Sequence, residues 1–117
     1  MNTSALIVLG QVLSAYRDCD THASEEAAMN ERNLHFLASD SVSRDEAVEI
    51  MRQAIPNNYN AFSADLLKLL PANARVTLAR EGSVCVYVSG KIRKNPKLKC
   101  NEFDYNPGSR MTRIWWD

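Results

Sequence analysis

Residues 75–89 read Arg75-Val76-Thr77-Leu78-Ala79-Arg80-Glu81-Gly82-Ser83-Val84-Cys85-Val86-Tyr87-Val88-Ser89, and this stretch sets the fold class. Val76 and Leu78 alternate with Thr77 and Ala79, and Val84, Val86 and Val88 alternate with Cys85, Tyr87 and Ser89. Period-2 alternation of this kind marks half-buried strands, and Glu81-Gly82-Ser83 between them reads as a hairpin loop. If the valines face a core, Cys85, Tyr87 and Ser89 leave the other side of the sheet.

Toward the carboxyl terminus, Lys91 to Pro96 is a basic connection and Lys97 to Phe103 is expected to form a weaker strand. Asn106-Pro107-Gly108 turns the chain into a last strand, Arg110 to Trp116. Adjacent residues on a strand leave opposite faces, so only one of Trp115 and Trp116 can enter a core. Ile114, two residues before Trp116, assigns that role to Trp116 and sends Arg113 and Trp115 outward.

Toward the amino terminus the period lengthens to 3.6. Leu6, Leu9, Val12, Leu13 and Tyr16 predict a first helix, with Thr3 or Ser4 as cap. A second is expected from Thr21 or Ser24, carrying Ala27, Ala28, Glu31, Leu34 and Leu37. Ser43-Arg44-Asp45-Glu46 is a capping box, with Val42 and Ala47 as its staple, and Pro56 ends that third helix. Ala61 to Leu70, stopped by Pro71, is a fourth, short one. Helices followed by strands give α+β: about four amino-terminal helices on one face of a carboxyl-terminal antiparallel sheet of three to four strands, one domain over 1–117.

The chain has 117 residues and a formal net charge of zero, but the zero is a cancellation. Up to Ala74 there are 5 basic and 10 acidic residues, and from Arg75 onward 9 basic and 4 acidic. The apolar run Ala5–Leu9 is too short to span a bilayer and has no basic flank before it, so a cytoplasmic protein is expected. Cys19, Cys85 and Cys100 are odd in number and widely spaced, a pattern of reduced thiols.

The glycines are scattered, so there is no phosphate loop, and no Gly-x-Ser-x-Gly elbow occurs. Cys19-x-x-His22 supplies one pair of ligand types, with His35, Cys85 and Cys100 elsewhere, but structural zinc uses two close pairs. No metal, cofactor or catalytic residue is therefore assigned.

What the pattern does assign is a surface. With the valines inward, the outer face is expected to carry Tyr87, Phe103 and Trp115 among Arg75, Lys91, Lys97, Lys99 and Arg113, with Arg93 and Lys94 in the adjoining loop. Aromatic anchors among cations suit a protein partner, and equally suit stacked bases and a phosphate backbone. The neutral whole chain favours the protein. The expectation is a small non-enzymatic accessory or inhibitor-type protein of the phage or plasmid kind. It would bind a protein partner through this face, with single-stranded DNA or RNA as the alternative and self-association also open to it.

Overall fold

The alternating segment becomes the middle of the sheet. A computed structural model describes residues 1–16 and 35–117. Arg75–Glu81 (β3) and Ser83–Ser89 (β4) pair across six registers, and Gly82 closes their loop at φ 72°, a left-handed conformation that favours glycine. His35–Leu37 (β1) and Val42–Ser43 (β2) both pair with the outer edge of β3. Met111–Trp115 (β6) lies on the other side of β4, and Glu102–Asn106 (β5) forms the far edge, so the order is β1-β3-β4-β6-β5 with every pairing antiparallel.

Two helices, Thr3–Tyr16 (α1) and Arg44–Ala54 (α2), and the 3-10 turn Ala64–Leu69 cover one face. The architecture is thus α+β, as expected, with more strands and fewer helices among the described residues. The expected second helix lies mostly outside them, but its last turn does not: His35–Leu37 is a strand. The expected short helix over Ala61–Leu70 is present as the 3-10 helix Ala64–Leu69, starting three residues later.

α1 is capped by Asn2, whose Oδ1 accepts from Ala5 N at 2.8 Å, one residue before the expected cap. Its buried side is Ala5, Val8, Val12, Ala15 and Tyr16, while Leu6 and Ile7 are more than half exposed. The stripe that predicted the helix is not its buried side: of Leu6, Leu9, Val12, Leu13 and Tyr16 only Val12 and Tyr16 are buried. The reason is that the helix is apolar nearly all round and a neighbouring stripe enters the core.

The capping box at Ser43 forms in full: Ser43 Oγ accepts from Glu46 N at 3.1 Å, and Glu46 Oε1 accepts from Ser43 N at 3.1 Å. The Ser43 N–H bond is the main reason the Glu46 carboxyl sits below its ordinary pKa. Ser43→Ala should cost about 1 kcal/mol. A denaturation midpoint equal to wild type would contradict that contribution.

From β4 the chain crosses back over the helix-covered side to begin β5. The 3-10 turn Pro96–Leu98 holds this crossover: Leu98 is buried, and its carbonyl accepts from Trp116 Nε1 at 2.7 Å. Trp116 is fully buried against Phe62, as the alternation with Ile114 requires, and Trp115 leaves the opposite face half-buried.

Candidate interaction site

The register sorts the sheet into two faces. Val76, Leu78, Val84, Val86, Val88 and Ile114 point toward the helices. On the opposite face stand Arg75, Thr77 and Glu81 of β3, Cys85 and Tyr87 of β4, and Met111, Arg113 and Trp115 of β6. His35 and Leu37 of β1, and Glu102 and Asp104 of β5, complete it. Among the described residues no helix packs on this side.

Four of the expected surface residues, Arg75, Tyr87, Arg113 and Trp115, share this face. The others do not. Phe103 pairs with Ile114 and lies on the helix side, partly buried against the core. Lys97 and Lys99 are in and just after the 3-10 turn, not on a strand, and Lys91, Arg93 and Lys94 belong to the same crossover. The physical reason is a phase change. Lys99 takes a left-handed φ of 55°, which ends the 3-10 turn, and β5 starts only at Glu102. A shift in strand phase moves every side chain to the other face.

The open face is also not basic. Its guanidiniums are Arg75 and Arg113, and its carboxylates are Glu81, Glu102 and Asp104. Arg75 donates to Ser41 O at 2.8 Å. Arg113 is held between Glu81, at 3.1 Å, and Glu102, at 3.0 Å. Glu81 is the hub: it also accepts from the Tyr87 hydroxyl and from Cys85 Sγ at 3.1 Å. The Trp115 indole N–H reaches the Glu81 carbonyl at 3.0 Å, which carries the ring across β4, whose Cys85 is wholly buried.

The electrostatics follow from that network. Burial alone would raise the Glu81 carboxyl, but hydrogen bonds from Arg113, Tyr87 and Cys85 outweigh it and hold it below the ordinary value. Burial first, and donation to Glu81 second, push the Tyr87 hydroxyl up to about 12 and the Cys85 thiol far above its usual range. A thiol in that state is a packed hydrophobe and a weak donor, not a nucleophile. Cys100 is a second free thiol, half-buried, while the Cys19–His22 pair lies outside the described residues. Among the described residues no three His, Cys, Asp or Glu side chains converge as a metal site would need, and no helix is long and apolar enough to cross a membrane.

Because the Glu81 carboxyl is held low in the fold, its ionised form stabilises the protein. That contribution is complete above the ordinary glutamate value of about 4.3 and is lost as pH falls through the lower folded value. Glu81→Gln should therefore flatten the loss of stability between about pH 5 and pH 3 in urea titrations. Parallel acid limbs for variant and wild type would show that Glu81 is not coupled to folding.

Beside the network the same face dips into a cleft of about 590 Å³. Leu37, Thr77, Tyr87 and Met111 line it, with His35 and Glu81 toward one end and Ser109 contributing from the β5–β6 turn. Leu37 is 65% exposed, an unusual state for a leucine on a sheet face. Sequence reasoning missed this cleft because β1 supplies its first wall, and β1 carries a helical spacing. No protein-family model matches the chain, and no curated protein or solved structure is significantly similar to it.

Proposed function

We propose that the chain is a non-enzymatic partner-binding protein of the accessory or inhibitor type, whose open sheet face receives apolar side chains of a protein partner. One observation carries this: a largely apolar cleft of about 590 Å³, covered by no helix among the described residues, with Leu37 exposed at its wall. That volume lies within the range of built binding sites and takes several side chains. Arg113 is already engaged by Glu81 and Glu102, so the face offers few free charges beside the cleft. Tyr87 and Trp115, each half-buried and fixed by hydrogen bonds to Glu81, are rigid aromatic contacts of the sort that anchor interfaces. A nucleic-acid platform on this face has less support, since Arg113 is engaged and Phe103 lies on the other side.

The test is capture from nuclease-treated extract of the native host on the immobilised full chain, with the captured protein then titrated. Leu37→Asp should weaken that complex at least about tenfold while leaving stability nearly unchanged, because Leu37 is exposed. Salt should change the affinity little. Unaltered affinity for both Leu37→Asp and Met111→Asp would remove the cleft from the interface.

A further inference from the structure

The lysines and arginines of the described residues fall into two groups. Arg44, Arg52, Lys68, Arg75, Arg80 and Arg113 each place their charged end against a carboxylate, a hydroxyl or a carbonyl. Lys91, Arg93, Lys94, Lys97, Lys99 and Arg110 do not; all are exposed, and the side-chain contact they show is Lys91 Nζ over the Tyr105 ring at 5.9 Å. Five of these are crossover residues. The sixth is beside its start, since Gly90 N donates to Arg110 O at 2.8 Å.

This is not a slack loop that happens to be charged. Asn95 Oδ1 caps Lys97 N at 2.9 Å, Pro96 opens the 3-10 turn, and Leu98 is locked into the core through Trp116. The cations are displayed on a frame anchored at its centre. Among the described residues, Asp45, Asp65, Glu81 and Glu102 are paired with other arginines. Asp104 stands on the opposite face of β5. Such a concentration of one sign raises the local potential and draws in an external polyanion.

We propose that the crossover is a second binding surface, separate from the cleft, for the phosphate backbone of single-stranded nucleic acid. An aromatic ring selects single strands over other polyanions. Tyr105 is half-buried on the crossover's own side of β5 and already lies under the Lys91 ammonium, while Phe103 beside it packs against the core. Cations tracking a backbone beside aromatic faces is the chemistry by which unpaired bases are held without sequence readout.

The experiment is fluorescence anisotropy of a labelled mixed-sequence single-stranded oligonucleotide with the full chain across a salt series. Binding should weaken steeply with salt, by about 0.7 in log–log slope for each phosphate contacted. Lys94→Glu with Lys97→Glu should reduce affinity at least about tenfold and lower that slope. Tyr105→Leu should weaken binding several-fold at unchanged slope, because stacking does not release counter-ions. Leu37→Asp should bind the oligonucleotide like wild type, which separates this surface from the protein-binding cleft. Absence of binding at low salt, or wild-type affinity in the double Glu variant, overturns the proposal. So does equal affinity for a duplex or competition by poly-glutamate at matched charge, which would make the surface a general polyanion patch.

Discussion

Trp116→Ala should lose roughly 3–5 kcal/mol of stability, a large fraction of what a domain of this size has. The indole is fully buried, meets Phe62 edge-on at 4.9 Å between centroids, and donates to the Leu98 carbonyl. Truncation would open a cavity between the last strand and the Phe62 turn, and would leave the Leu98 carbonyl buried without its donor. The two losses fall on the same place, where the crossover is pinned. Urea denaturation should show a midpoint lower by on the order of 2 M. Trp115→Ala is the matched control: its half-buried ring and one backbone hydrogen bond predict a cost of about 1 kcal/mol. Equal losses for the two tryptophans would mean that the open face is covered after all.

Arg80→Met should cost roughly 2–4 kcal/mol although it preserves much of the side-chain volume. Arg80 points to the helix side and is 1% exposed. Its Nη1 donates to Ala15 O at 2.6 Å, at the carboxyl end of α1, and the guanidinium lies 5.2 Å from the Tyr16 ring centroid. A cation there satisfies a terminal carbonyl, complements the helix dipole and stacks on an aromatic face. Methionine does none of these. Amide exchange in the last turn of α1 should accelerate much more than in α2. Uniform acceleration across both helices would show a global loss without a special role for the cap.

The features legible in the sequence were those decided by neighbours along the chain. The β3–β4 hairpin, the Ser43 capping box and the division of labour between Trp115 and Trp116 each rest on spacings of one to three residues. What was not legible was decided across the chain. Leu34 and Leu37 are spaced as on a helix, yet residues 35–37 extend because β3 offers them a ladder. The outer side of α1 is as apolar as its inner side, so only packing could orient it. Phe103 changed faces because a left-handed Lys99, with nothing in its residue type to announce it, delays β5. The expected basic, aromatic surface was consequently divided in two: a sheet face with an apolar cleft beside the Glu81–Arg113–Glu102 network, and a cationic crossover behind it.

The joint between α1 and the sheet has a consequence in time. The Tyr16 hydroxyl donates to Ala79 O, and Arg80 reaches Ala15 O, so the partners lie 63 and 65 residues apart in the chain. The β3–β4 hairpin closes through neighbours along the chain, whereas these two contacts must also offset the entropy of closing a long loop. On a ribosome adding about 5–20 residues per second, α1 emerges several seconds before its anchor exists. Throughout that interval Val8 and Val12 have no core to enter, and Leu6 and Ile7 never acquire one among the described residues. α1 is thus made well before the strand that anchors it, and its apolar side must wait for β3 to be synthesised.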